Sequence, residues 1–180
     1  MATPASAQSF GIGPRLSFVR GDLPTATPSA SFVGGTIRLV GSKHHAFEVA
    51  LDTRTVTNEA GTSRKREMPM QASLLLYPMR GAVAPYLLGG FGIYRETTEA
   101  LGANDVVLSS VRTQQTGWHV GGGLEILISR HVGFFGDYRF RFVRLGLAGP
   151  GEQPIDIPFV DSVNLSHRGS MWTSGMSFYF

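Results

Sequence analysis

Charged side chains occupy alternate positions within short apolar segments of the chain, which is the spacing of one face of a β-strand. The charged residues at these positions are Arg15, Arg38, Glu48, Asp52, Arg54, Glu125, Asp137, Arg139 and Arg141, and His119 shares this face. Guanidinium and carboxylate groups on one enclosed face are expected to pair, because a buried unpaired charge costs several kcal/mol. We therefore predict a network of internal ion pairs, with a narrow gated pore through the same network as the alternative.

A second candidate for chemistry is the segment Ser166-His167-Arg168-Gly169-Ser170, which combines possible nucleophiles with a possible base. Successive residues of a strand point to opposite faces, so His167 is expected on the other side of the sheet from Ser166 and Ser170. The sequence places no carboxylate to orient the histidine, as a catalytic triad requires. We interpret the segment as a polar strand entry and predict no catalytic residue.

Metal and cofactor chemistry find little support in the sequence. Cysteine is absent, which excludes thiolate metal ligands and cysteine nucleophiles. His44 and His45 adjoin each other in a short turn, but neither has a carboxylate partner at ligand spacing. We interpret both as turn residues and expect neither a metal nor a cofactor.

The composition limits the elements that could position these side chains. A chain of 180 residues is long enough for one domain with a sizeable core. Charged residues make up 16% of it, against about 25% in an ordinary soluble domain, and 23 residues are glycine. No apolar run approaches the roughly 20 residues of a membrane-spanning helix. The net charge is only +3 and the cations are scattered, which disfavours nucleic acid as a partner.

Strict alternation of apolar and polar residues predicts eight β-strands. The predicted strands are Phe10–Val19, Phe32–Val40, Phe47–Arg54, Met68–Leu76, Pro85–Glu96, Gly117–Ile128, Val132–Phe142 and Trp172–Phe180. Long and short connections alternate along the chain. The four long ones are Gly21–Ser31, Asn58–Glu67, Thr97–Gln115 and Gly146–Val163. This order predicts antiparallel neighbours in an up-and-down barrel with all large loops at one end.

The two faces of the strands distinguish a membrane barrel from a soluble one. A lipocalin-type soluble barrel turns apolar side chains inward, whereas a membrane barrel turns them outward to lipid. Glycines share the charged face at positions 11, 13, 34, 121, 123 and 175, and a narrow eight-stranded interior needs such small residues. Large aromatic residues near the strand ends favour girdles at two interfaces. We therefore predict an all-β, eight-stranded antiparallel transmembrane β-barrel with a polar interior.

Three stretches give the chain a resemblance to the small eight-stranded outer-membrane β-barrels of the OmpA/OmpX type. Residues 172–180 resemble the assembly signal of that family, a terminal phenylalanine preceded by apolar residues at every second position. The residues that carry the signal are Trp172, Met176, Phe178 and Phe180. Residues 84–92 and 117–125 resemble the fifth and sixth strands of such barrels. The resemblance implies a bacterial outer-membrane location, insertion by the outer-membrane assembly machinery, short turns in the periplasm and long loops outside.

Residues 9–180 form the predicted barrel domain, and Ala5-Ser6-Ala7 within residues 1–8 marks a signal-peptide remnant or a flexible tail. We expect a monomer surrounded by outer-membrane lipid and lipopolysaccharide, with a structural or surface-interaction role in its loops. Arg64-Lys65-Arg66 is interpreted as a loop tip, with lipopolysaccharide phosphates as a possible contact. Because some small outer-membrane barrels modify lipid A, such an enzyme is the main alternative, and a soluble lipocalin-like binder is another.

Overall fold

The computed structural model describes residues 9–21, 30–58, 60–102, 106–144 and 166–180. Its elements are eight strands: β1 (Ser9–Gly21), β2 (Ala30–Val40), β3 (His45–Thr57), β4 (Ser63–Leu76), β5 (Val83–Leu101), β6 (Val107–Leu127), β7 (Val132–Arg144) and β8 (Ser166–Tyr179). Each strand pairs antiparallel with the next, and β8 pairs with β1. The predicted eight-stranded up-and-down barrel is thereby confirmed. Within these ranges the structure contains no helix long and apolar enough to cross a membrane.

The connections between the strands distinguish the two ends of the barrel. Residues 41–44, 77–82 and 128–131 make short turns at one end, which we call the short-turn end. At the opposite end, called the loop end, β3 is followed by β4 and β5 is followed by β6. The predicted loops Gly21–Ser31 and Gly146–Val163 lie almost entirely outside the described residues, as does the predicted tail 1–8.

Two predicted loops are wrong in extent, because the strands continue further than their apolar alternation. Thr97–Gln115 is mostly strand, since β5 and β6 remain paired from Thr97↔Arg112 up to Leu101↔Val107. The predicted loop Asn58–Glu67 is also too long, because β4 already begins at Ser63. Alternation stops where one face no longer meets hydrocarbon, whereas backbone pairing between β-branched residues continues into water. The β5–β6 hairpin therefore extends the sheet beyond the barrel.

The outward face of every strand is apolar, as predicted for a membrane-spanning barrel. Large apolar side chains exposed on this face include Ile12, Leu16, Val33, Ile37, Leu39, Val49, Leu51, Met70, Leu74, Leu87, Val120, Leu124, Ile126, Phe134 and Phe140. A soluble protein seldom exposes contiguous apolar patches beyond a few hundred Å². This band, called the apolar belt, excludes the lipocalin-like alternative, in which the same residues would fill the centre.

Aromatic side chains mark the two edges of the apolar belt. Phe10 and Phe180 face outward at the short-turn end, where their backbones hydrogen-bond to each other. Phe18 lies beside Trp172 toward the loop end, and all four rings are at least 40% exposed. Phe10 and Phe18 are eight residues apart on β1, which is about 26 Å along the strand. For a strand tilted by about 40° from the barrel axis, this corresponds to about 20 Å along the axis. The predicted aromatic girdles therefore bound a layer close to the thickness of the hydrocarbon band.

Substituting the inward-facing Gly123 by alanine should be costly, because its surroundings leave no room for a methyl group. A Cβ there would lie 2.5 Å from the Asp137 Cβ and 2.7 Å from the Tyr86 Cζ. Gly136 faces outward nearby, and a Cβ there would approach only the Thr173 carbonyl oxygen, at 3.8 Å. Urea unfolding in lipid vesicles should show about 1–3 kcal/mol lost for Gly123→Ala and less than about 0.5 kcal/mol for Gly136→Ala. Equal effects would contradict a tightly packed lumen.

Candidate functional site in the barrel lumen

The barrel lumen contains a cluster of buried charged side chains, which we call the lumen network. Three arginines, Arg15, Arg38 and Arg139, are each at most 1% exposed. Their acidic partners are Glu48, Asp52, Glu125 and Asp137, and these are at most 3% exposed. Charges buried to this degree are stable only when they are paired and hydrogen-bonded, and the structure supplies partners for each of them.

Glu48 lies at the centre of the lumen network and contacts all three arginines. Its Oε2 accepts a hydrogen bond from the Arg38 Nη2 at 2.6 Å, and its Oε1 accepts one from the Arg139 Nη2 at 2.8 Å. The Arg15 Nη1 lies 3.7 Å from the same Oε1. One carboxylate on β3 therefore connects side chains from β1, β2 and β7 across the lumen.

Each arginine also has a second acidic partner. Arg15 forms a two-point contact with Asp52, at 2.8 Å from Nε and 2.7 Å from Nη2. Arg139 forms a similar contact with Asp137, at 2.6 and 3.0 Å. Such fork-like pairs hold both groups in one orientation as well as neutralising them. The network is thus made of fixed pairs rather than mobile charges.

Arg38 and Arg80 share the remaining carboxylate, Glu125, near the short-turn end. The Arg38 Nη1 lies 3.3 Å and the Arg80 Nη2 lies 4.0 Å from its oxygens. The hydroxyl groups of Tyr77 and Tyr179 both donate hydrogen bonds to Glu125. With Arg80 included, four arginines balance four carboxylates among the described residues of the network.

Inward-facing glycines let side chains on flanking strands meet across the strand between them. Gly34 of β2 lies in register between Arg15 and Asp52, whose side chains pair directly above it. Gly123 of β6 lies in the same way between Tyr86 and Asp137, and the Tyr86 hydroxyl donates to the Asp137 Oδ2 at 3.0 Å. These side chains can meet only because the residue between them is small. This accounts for the glycines on the charged face.

Aromatic side chains complete the lumen, although the alternation of the sequence does not predict them there. Tyr77, Tyr86, Phe135 and Tyr179 are buried at the charged face, where the Arg38 guanidinium lies 4.4 Å from the Phe135 ring centre. On β7 the signal is present, since Phe135 falls on the same parity as Asp137 and Arg139. On β5 Tyr86 faces inward without a predicted network charge on its strand. Aromatic groups on both parities hide that signal.

Two predicted members of the network have other partners. Arg54 does not reach the four central carboxylates but pairs with Glu67 at 3.2 Å, where both side chains are about one-fifth exposed. Arg141 lies over the Tyr94 ring at 5.4 Å and forms no ion pair with an acidic side chain among the described residues. Both lie on the loop-end side of the network, where the lumen begins to open.

A serine and a histidine meet inside the lumen, which the sequence did not predict. The Ser73 Oγ and the His119 Nε2 are 2.8 Å apart, as in a nucleophile–base pair. Both residues are at most 2% exposed, and no group in the described part of the chain hydrogen-bonds to the His119 Nδ1 to orient the ring. Because the pair is buried and no described carboxylate supports it, its geometry fits a structural contact.

The other candidates for chemistry are placed as follows. Ser166 and His167 belong to β8, but their side chains lie outside the described part of the chain. The His44 Nδ1 lies 3.0 Å from the Tyr77 carbonyl oxygen, and the His45 Nδ1 lies 3.0 Å from the Ser42 Oγ. Among the residues that the structure describes, no group of three or more histidine, aspartate or glutamate side chains is arranged to hold a metal ion.

The basic segment 64–66 is strand rather than the predicted loop tip, because it pairs with β3 and β5 on both sides. Lys65 faces the mouth of the lumen and lies 3.1 Å from Glu96 and 3.3 Å from Glu67. Partial burial opposes its charge, but the hydrogen bonds and charges of these two carboxylates outweigh it and raise the pKa of Lys65. Arg66 faces outward and is exposed.

Solved structures share this architecture although their sequences differ. Ail of Yersinia pestis aligns with a TM-score of 0.59 at 14% identity, over 96% of this chain and 97% of that chain. A major outer membrane protein of Thermus thermophilus gives 0.59 at 11% identity, over 97% and 100%. The outer membrane protein OprG of Pseudomonas aeruginosa gives 0.54 at 16% identity, over 97% of both chains. No protein-family model and no curated sequence matches the chain.

The chain therefore has the fold of the small eight-stranded outer-membrane β-barrels, and the resemblance predicted from its sequence is confirmed. The predicted location in a bacterial outer membrane agrees with these neighbours and with the outward apolar belt.

Proposed function

We propose that this chain is a non-enzymatic barrel of a bacterial outer membrane, with a structural or surface-interaction role and a lumen closed by the lumen network. It acts as a monomer, with the short-turn end in the periplasm and the loop end outside. The outward apolar residues Trp172, Met176 and Phe178 of β8, together with Phe180 directly after it, present the assembly signal to the outer-membrane machinery. Outer-membrane lipid covers the apolar belt.

One observation supports the proposal that the lumen is closed. Every strand contributes at least one nearly fully buried polar side chain to the lumen. Taken in strand order, these include Arg15, Arg38, Glu48, Ser73, Tyr86, Glu125, Arg139 and Tyr179, none more than 5% exposed. An eight-stranded barrel has an interior just wide enough for side chains to fill. Because the charges are held in fixed pairs, opening a path for ions would require several pairs to separate together.

Planar-bilayer recordings test the closed lumen. The purified full chain should produce no discrete, reproducible openings under conditions in which a known porin conducts. The double variant Arg38→Ala/Arg139→Ala, checked for folding by heat-modifiable migration, should conduct, because two of the longest lumen side chains are removed. Unitary openings of the unaltered chain would overturn the closed lumen and favour a gated pore.

Mass spectrometry of lipid A from cells with and without the gene tests the non-enzymatic role. Identical acylation and phosphorylation of lipid A are expected. A mass difference that follows the presence of the gene would overturn the proposal in favour of a lipid A-modifying enzyme.

A further inference from the structure

Three arginines on the outward face at the loop end, where β4, β5 and β6 continue beyond the apolar belt, have no acidic partner among the described residues. Arg66 of β4, Arg95 of β5 and Arg112 of β6 are all exposed. Arg95 donates one hydrogen bond to the Gln114 Oε1 at 3.3 Å, and none of the three forms an ion pair within the described residues. We call this group the arginine triangle. Three cations that no described carboxylate neutralises, placed on one small surface, form a site for an anion.

Strand register brings the arginine triangle together around Thr97. Arg66 and Arg112 oppose Thr97 from its two sides, so their Cα atoms are two strand spacings apart, about 10 Å. Arg95 precedes Thr97 by two residues on the same face and lies diagonally from both arginines, at about 7–8 Å. Because arginine side chains are long and flexible, three guanidinium groups at these spacings can contact one phosphorylated group.

The acidic side chains that the structure describes near the triangle contact other cations. Glu99 lies on the same face further from the belt, within 4.0 Å of Arg64. Glu67 and Glu96 lie on the inner face, where Lys65 contacts both. The outward face of this region thus keeps a surplus of positive charge.

The triangle lies directly beyond the apolar belt on the same strands. On β5, Ile93 and then Phe91 follow Arg95 on the outward face toward the short-turn end. The Phe91 ring packs against Trp118, with 5.5 Å between the ring centres. A lipid whose acyl chains cover this aromatic pair would carry its headgroup at the level of the arginines. The position favours a membrane lipid over a soluble polyanion, because the cations face sideways into the headgroup layer.

We propose that the arginine triangle binds the phosphate groups of a phosphorylated glycolipid, lipopolysaccharide, in the leaflet next to the loop end. This inference rests on the proposed outer-membrane placement. Guanidinium–phosphate contacts at Arg66, Arg95 and Arg112 fix one lipid against the sheet extension, while its acyl chains lie along the aromatic pair.

Binding of fluorescent lipopolysaccharide to the full chain in zwitterionic micelles tests the proposal. The triple variant Arg66→Gln/Arg95→Gln/Arg112→Gln should bind at least about tenfold more weakly than the unaltered chain. The matched control Arg20→Gln/Lys43→Gln/Arg130→Gln removes the same charge from three dispersed exposed sites and should bind normally. Dephosphorylated lipopolysaccharide should bind both the unaltered chain and the triple variant equally weakly.

Three results would overturn the proposal: equal weakening by both triple variants, displacement of the lipid by millimolar inorganic phosphate, or displacement by heparin. The second would indicate a site for free phosphate and the third a soluble-polyanion site. Heat-modifiable migration of each variant separates loss of binding from loss of folding. Failure of the proposed function would appear in the bilayer recordings, which do not depend on the triangle.

Discussion

Glu48→Gln should lower the free energy of unfolding by about 3–5 kcal/mol, the largest effect expected from a single substitution in this chain. Glutamine keeps the shape of the side chain but removes its charge. Arg38 and Arg139 then lose a charged partner at 2.6 and 2.8 Å, and the three buried arginines and the partly buried Arg80 face three carboxylates. Because these groups are shielded from water, the excess positive charge is not solvated. Urea unfolding in lipid vesicles, followed by tryptophan fluorescence, measures the loss.

The matched control for this prediction is Glu67→Gln at the loop end of the lumen. Glu67 also contacts an arginine, Arg54, at 3.2 Å, but about one-fifth of each side chain is exposed. Water reaches this pair, so the substitution should cost at most about 1 kcal/mol. Equal losses at positions 48 and 67 would show that burial does not set the strength of these pairs.

Val49→Arg should cost about 2–4 kcal/mol, because it places a charge against the middle of the hydrocarbon layer. Val49 lies on the outward face of β3, between Ile37 of β2 and Ala72 of β4, and is 39% exposed. Thr53→Arg is the control on the same face of the same strand, four residues nearer the loop end. Its cost should be about 0–1 kcal/mol, since the side chain reaches the headgroup layer.

The pair of substitutions at positions 49 and 53 tests the orientation of the whole barrel. A depth-dependent loss is specific to a lipid-facing surface. If Val49→Arg were harmless in vesicles, the apolar belt would not face hydrocarbon. If both substitutions cost the same, the bilayer would not be centred near Val49. Unfolding measured in the same vesicles provides the comparison.

Much of the fold was predictable because a membrane barrel imposes a two-residue period on nearly every strand. Outside the bilayer this constraint ends, and there the prediction failed. Thr97–Gln115 was predicted as a loop, although most of it belongs to β5 and β6. The lack of alternation also predicts a loop at Arg64, Lys65 and Arg66, which belong to β4. Mixed polar sequence is compatible with either a loop or a paired strand in water, and register with β5 decides for strand.

The amino-acid sequence alone determined that the charged side chains face the lumen and the aliphatic ones face lipid, because alternation assigns faces without knowledge of the neighbouring strand. It left the lumen rings of Tyr86 and Phe135 unassigned, because both parities of their strands carry aromatic residues. It could not determine which charges meet. Glu48 contacts Arg139 across 91 positions of sequence, and Arg141 on the same face finds an aromatic ring instead of a carboxylate. Strand register and barrel closure set those distances, and they depend on all eight strands together. The arginine triangle likewise exists only because register aligns β4, β5 and β6.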